Sequence, residues 1–204
     1  MIPLSKRAVV LGLLASGAAG CGRPAVALPA DMSLGNPRAP VTVIEYASVA
    51  CPVCGRWYRE VFPAFKAKYI DTGKIKYVAR EMLVGDATEE SIAAAGFLLA
   101  RCPGKDKYFS VTDAIYNNQI EIYGNPRVGL LNIAKSMGMD ENTFDACIKN
   151  EVALRELDAR VQSYSKDDKV TATPTFVVNG VALSPGYHPL SDLDAAISAA
   201  QRAK

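Results

Sequence analysis

Ile44-Glu45-Tyr46-Ala47-Ser48-Val49-Ala50-Cys51-Pro52-Val53-Cys54-Gly55-Arg56-Trp57-Tyr58 is the stretch on which the fold turns. Val41, Val43 and Tyr46 favour extended backbone, and Ser48-Val49-Ala50 makes a short connection. A helical pattern follows, with Trp57, Tyr58, Val61, Phe62, Phe65 and Tyr69 near a 3.6-residue period. Cys51 is then expected at the helix N-cap and Pro52 at the first helical position, where its missing N–H costs nothing. The unpaired N–H groups and positive dipole end of such a helix favour a Cys51 thiolate. Cys54, one turn further, is more enclosed and placed to attack a mixed disulfide formed on Cys51. That division into nucleophile and resolving thiol is what disulfide exchange requires.

A Cys-x-x-Cys pair is also half of many zinc sites. Zinc needs four ligands, yet Cys21, Cys102 and Cys147 stand alone and the single histidine, His188, is far downstream. The expectation is therefore a redox couple with no metal and no organic cofactor, the Cys51–Cys54 disulfide being the redox group itself.

Upstream of the couple, Glu45 sits inside an apolar strand. A buried carboxylate costs several kcal/mol unless it is paired, hydrogen-bonded or neutralised. One reading is a solvated edge residue; the other is a buried acid that moves protons to and from the Cys54 thiol, its pKa raised by burial. Lys76 and Arg80 are the cations of the next strand that would partner it, with solvated charge as the alternative for both. A short edge strand is expected at 32–34.

Residues 1–27 form a separate unit. Lys6 and Arg7 precede an apolar run at 8–19 and then small residues, the layout of a secretory signal, and the run is too short to span a bilayer. Two exits compete. Cleavage after Ala25-Val26-Ala27 discards Cys21, whereas Ala18-Ala19-Gly20-Cys21 resembles a lipobox in which Cys21 is lipidated. Either exit implies an exported, periplasmic chain, where cysteine pairs close and persist. Cys102 and Cys147 are accordingly expected to form a structural disulfide, the alternative being two separate buried thiols.

The chain has 204 residues, half of them hydrophobic, which supplies a sizeable core. Formal charge is +2, but Lys6, Arg7 and Arg23 are the only charges of 1–27, so the remainder is slightly acidic. Nothing there points to nucleic acid or an anionic membrane as a partner.

Downstream, Pro63 should kink the first helix near 60–63. Thr72-Gly73 ends it, and 74–81 reads as a second strand, completing a right-handed βαβ unit. From Gly85-Asp86 the pattern is helical over 88–101, 105–117, 126–137 and 141–165, with Asp140 capping the last segment. Phe97, Tyr108, Phe109, Tyr116 and Phe144 read as core of this block. Strand character returns at 175–178, Asn179-Gly180 is a hairpin turn and 181–183 the returning strand. A helix over 189–201, capped by Ser191, closes the chain, and His188 is assigned to a surface loop. The organisation is thus 1–27 signal (or a lipoprotein signal ending before Cys21), 28–84 and 169–204 as two parts of one α/β thioredoxin-like domain (βαβ…ββα), and 85–168 as an all-helical insertion.

Thr173-Pro174 precedes the hairpin strand. Position alone favours an ordinary trans bond. In this arrangement the loop would lie against the Cys51 side of the helix, and a cis bond would leave the Thr173 backbone free to pair with an extended substrate.

With strand, Cys51-Pro52-Val53-Cys54, helix, helical insertion and Thr173-Pro174 in that order, the chain resembles the DsbA family of bacterial periplasmic thiol-disulfide oxidoreductases, most closely its alphaproteobacterial branch. Ile44-Glu45-Tyr46-Ala47-Ser48, Tyr69-Ile70-Asp71-Thr72-Gly73-Lys74 and Thr173-Pro174-Thr175-Phe176 carry the likeness. The resemblance implies Cys51 as nucleophile, Cys54 as resolving cysteine, Glu45 as buried acid, and substrate contacts at Pro52, Val53, Thr173 and a cis Pro174. It further implies a monomer that oxidises exported, reduced proteins and is re-oxidised by a quinone-linked membrane protein of the DsbB type. One departure stands out: many members of that family carry histidine where this chain has Val53, and valine offers the thiolate neither charge nor hydrogen bond. A higher Cys51 pKa and a less oxidising couple are expected than in the family's strongest oxidants. A periplasmic reductase or isomerase, and a non-catalytic metal- or peptide-binding module, are the alternatives.

Overall fold

The computed structural model describes residues 31–203; residues 1–27, expected as a signal, and with them Cys21, lie outside the described residues. β2 (Val41–Ala47) is the centre of a five-stranded sheet of order β1-β3-β2-β4-β5. It pairs in parallel with β3 (Ile75–Glu81) and antiparallel with β4 (Thr175–Val178), so its near-continuous apolar run is buried on both faces. β1 (Met32–Gly35) closes one edge against β3, and β5 (Val181–Ala182) the other. Asn179 and Gly180 both have positive φ, 47° and 86°, which the two-residue turn between β4 and β5 requires.

Strand alternation decides what meets which helix. Val43, Tyr77, Phe176 and Val178 belong to the larger core with Trp57 and Phe65 and with Leu193 and Ile197 of α9 (Leu190–Arg202). Ile44, Tyr46, Val78 and Val177 pack instead with Tyr164 of α8 (Glu151–Asp167). Between β2 and β3 run α1 (Pro52–Glu60), the short α2 (Phe62–Phe65) and a π-helical turn, Lys66–Ile70. The break falls at Val61, two residues before Pro63, as proline's missing N–H and ring demand.

The insertion is α3 (Ala87–Arg101), α4 (Lys105–Asn117), α5 (Gln119–Gly124), α6 (Pro126–Ser136), α7 (Glu141–Ile148) and α8. Asp86 and Glu89 form a reciprocal capping box at the start of α3, and Asp140 caps α7 by accepting from the Thr143 N–H at 2.7 Å. A disulfide joins Cys102, at the end of α3, to Cys147 in α7, with Cα atoms 5.7 Å apart.

Several expectations are corrected. The helix expected over 141–165 is two helices, because Asn150 leaves the helical track and accepts the Ala153 N–H at 3.0 Å, a local bond that Asn makes in competition with helix. α5, between the expected helices, was not anticipated. α9 has Pro189 at its cap with no side-chain bond, and Ser191 lies inside the first turn. His188 is buried, not on a surface loop: its ring nitrogens lie 2.9 Å from Asp192 Oδ2 and 2.7 Å from the Ser184 carbonyl, and its edge meets Phe176. Neither Lys76 nor Arg80 partners Glu45. Lys76 and Arg80 alternate away from Tyr77 along β3, and Arg80 is ion-paired with Asp31 (3.1 Å) and Asp168 (2.7 Å), while donating to the Tyr46 hydroxyl.

Candidate active site

Cys51 occupies the N-cap of α1 with extended backbone (φ −67°, ψ 120°), and Pro52 follows at the first turn. The cap geometry turns the sulfur back over the helix end, where it accepts the Cys54 N–H at 3.3 Å. Across the surface, Thr173 presents its carbonyl oxygen 3.6 Å from Cys51 Sγ, and the Thr173–Pro174 peptide is cis. The loop lies against the Cys51 side of the helix, as expected, because β4 pairs with β2 and brings the residues before Thr175 beside those after Ala47.

The two thiols are free and unequal. Cys51 is half-buried and its pKa is lowered to about 6, chiefly by hydrogen bonding from the Cys54 thiol, then against burial by Thr173 and by the backbone N–H groups of Cys54 and Val53. Cys54 is buried, and enclosure first, then the Cys51 sulfur, pushes its pKa well above the ordinary thiol value. Val53 is 41% exposed between them.

Glu45 is 3% exposed and lies on the α1 side of β2, where the Tyr77 hydroxyl donates to its carboxylate. Burial raises its pKa to about 7; the Tyr77 bond opposes the rise and the nearby Cys51 adds to it. The acid is thus close enough to the couple to feel the Cys51 charge, and its partner is a tyrosine.

Sequence reasoning missed the residues that hold the Cys51 loop. Gln119 Nε2 donates to the carbonyls of Val49 (2.9 Å) and Cys51 (3.0 Å), and the Tyr123 hydroxyl donates to that of Ala50 at 2.5 Å. Arg59 braces the same carboxamide, 3.3 Å from Gln119 Oε1. A Cβ at Gly55 would meet the Gln119 carboxamide and push it off these carbonyls, so glycine leaves room for that side chain. Nothing in the isolated α5 sequence signals this role. Among the described residues no group of three His, Cys, Asp or Glu side chains is placed to hold a metal ion, and no helix is long and apolar enough to cross a membrane.

A family model described as thioredoxin matches residues 27–199. A Rickettsia typhi protein named as a protein-disulfide oxidoreductase is 37% identical over 154 residues, covering 74% of this chain and 55% of that one. This chain therefore spans about half the length of that relative. A Bacillus anthracis protein named disulfide bond formation protein D is 29% identical over 178 residues, covering 83% of this chain and 79% of its own. Among solved structures, alpha-DsbA1 of Wolbachia pipientis superposes with a TM-score of 0.77 at 29% identity, covering 86% of this chain and 92% of that one.

Proposed function

The chain belongs to the thioredoxin family, of the DsbA type, and on that premise we propose that it donates its Cys51–Cys54 disulfide to exported proteins during oxidative folding. The observation that carries the reading is the asymmetry of the couple: an accessible Cys51 whose thiolate is favoured, and an enclosed Cys54 whose thiol is favoured. A substrate thiolate attacks Cys51 Sγ, the Cys51–Cys54 bond breaks, and Cys54 leaves with the electron pair and takes a proton. A second substrate thiolate attacks the substrate sulfur of the mixed disulfide and expels Cys51 as a thiolate. The substrate is oxidised by two electrons and the enzyme is left as the dithiol.

A low Cys51 pKa makes Cys51 a good leaving group and stabilises the reduced protein, which drives electrons in this direction. The exposed apolar side chains Val53, Ile120 and Tyr123 suit contact with unfolded chains, and the Thr173 backbone suits pairing with an extended segment. The reading includes an exported chain acting as a monomer in the periplasm, soluble or anchored through Cys21, with re-oxidation by a quinone-linked membrane protein of the DsbB type. No metal or organic cofactor enters the steps.

Val53 favours a second reading, a reductase or isomerase kept reduced. Glutathione titration of the Cys51–Cys54 couple separates the two. A midpoint between about −120 and −180 mV, the span of known disulfide donors and isomerases, supports donation, and one near −270 mV, that of thioredoxin, supports the reductase.

A further inference from the structure

Glu45 must exchange protons with solvent if it serves Cys54, yet it is 3% exposed. Beside it lies a small space of about 20 Å³, lined by Glu45, Tyr77 and Arg80 of the sheet, Tyr58 of α1, and Tyr108, Thr112 and Tyr116 of α4. That volume accommodates one water, which needs two to four polar partners. Here the walls offer a carboxylate and hydroxyls from five different side chains.

The space has an inner and an outer end. At the inner end, Tyr116 is close enough to both Cys54 and Glu45 that their charges, added to burial, hold its hydroxyl protonated. At the outer end, Tyr58 and Phe109 form the wall shared with a solvent-open groove, on whose rim stand Lys66, Lys105, Asp106 and Asp113. Tyr58 is itself 5% exposed, lies beside Thr112, whose hydroxyl donates to the Phe109 carbonyl at 3.2 Å, and feels the charge of the exposed Asp113. Its ring is clamped between Phe62 (4.3 Å) and Tyr116 (4.5 Å), which keeps the hydroxyl in place.

We propose that protons reach Glu45 from the Asp113 groove through Tyr58, Thr112 and one water held in the space between them, so that the helical insertion supplies the active site's proton route. The proposal rests on the disulfide-exchange reading. When the Cys51–Cys54 bond is broken by a thiolate, Cys54 takes its proton from the Glu45 carboxyl, and the resulting carboxylate is re-protonated from the groove by way of Tyr58. Resolution by Cys54 runs the same transfers backwards. The groups facing Glu45 are Tyr77 from β3, Cys51 and Tyr58 from the start of α1, and Tyr108, Thr112 and Tyr116 from α4; the Arg80 guanidinium points to the other face of the sheet, where it is committed to Asp31 and Asp168.

The test is stopped-flow reduction of the oxidised protein by dithiothreitol, from acid to alkaline pH, for the parent, Tyr58→Phe, Glu45→Gln and the double variant. Phenylalanine keeps the ring stack and removes only the hydroxyl. Relative to the parent, Tyr58→Phe should reduce at an equal rate while Glu45 carries its own proton and about tenfold more slowly once Glu45 is ionised. In the Glu45→Gln background the same change should have no further effect, which a structural role would not produce. Thr112→Val should follow Tyr58→Phe. A rate ratio flat with pH, or a Tyr58→Phe loss that persists without Glu45, overturns the route while leaving the function standing. A parent whose disulfide does not exchange with thiols at all overturns both.

Discussion

Two residues carry the argument at the finest scale, Val53 and Glu45. Val53 is exposed at the second position of α1 and its side chain gives the Cys51 thiolate no polar support, so the lowered pKa comes from Cys54, Thr173 and the backbone N–H groups of the helix end, that of Val53 included. Val53→His adds a cation or donor beside the sulfur without disturbing a buried contact. It should lower the Cys51 titration midpoint, read by thiolate absorbance, and make the couple more oxidising by at least about 30 mV, a tenfold change in the exchange constant. Glu45 has the opposite character, a group whose folded pKa is raised. Its neutral form contributes stability fully present below the ordinary carboxylate value of 4.5, and this is lost as pH rises through about 7. Glu45→Gln should therefore leave stability near pH 4 little changed and raise it near pH 8 by on the order of 3 kcal/mol, as seen in urea unfolding at the two pH values. A variant equally stabilised at both would show that Glu45 is not the group that titrates.

At the scale of elements, α5 and the α3–α7 bridge are the pieces whose removal is most informative. Gln119→Ala withdraws the donor from the Val49 and Cys51 carbonyls and the acceptor facing Arg59. Losing partners for enclosed carbonyls costs about 1–3 kcal/mol. Chemical unfolding should register that cost, and hydrogen exchange should quicken in the 49–55 loop before the sheet responds. The Cys102–Cys147 disulfide closes a separation of 45 residues within the insertion. Replacing both by serine should cost roughly 2–4 kcal/mol by loop-closure reasoning, measured as a shift in urea midpoint. The sequence marked the two cysteines and the helices around them, but not that 141–165 divides at Asn150, since a single Asn is tolerated in many helices and only its side-chain bond to Ala153 reveals the cap.

For the molecule as a whole, the insertion is part of the site and not an appendage to it. β3 is tied to it at Glu81, whose buried carboxylate meets Arg101 of α3 at 2.6 Å and Arg160 of α8 at 2.9 Å. The same block delivers Gln119 and Tyr123 to the Cys51 loop and Thr112 and Tyr116 to Glu45. Destabilising the insertion should thus alter redox behaviour as well as folding. In the Cys102/Cys147 serine variant, mild urea that loosens the block is expected to shift the Cys51 thiolate titration before far-ultraviolet circular dichroism reports loss of the sheet.

What the chain determined by itself was whatever depends on neighbours in sequence. The βαβ unit, Cys51 at the helix cap, the break before Pro63, the Asn179-Gly180 turn and the Asp140 cap all follow from side chains acting on backbone within a few residues. Period-two alternation along Val41–Ala47 even places Glu45 with Val43 on the side that α1 covers. Only the tertiary structure decided the rest: Tyr77 and not a cation on Glu45, Arg80 with Asp31 and Asp168, His188 inside the core, and Gln119 under Cys51. Apart from those of His188, these are contacts between groups 32 to 88 residues apart or choices among several equally placed polar side chains, and local propensity carries no information about either. Packing chose among them by burying each polar group only where another could satisfy it.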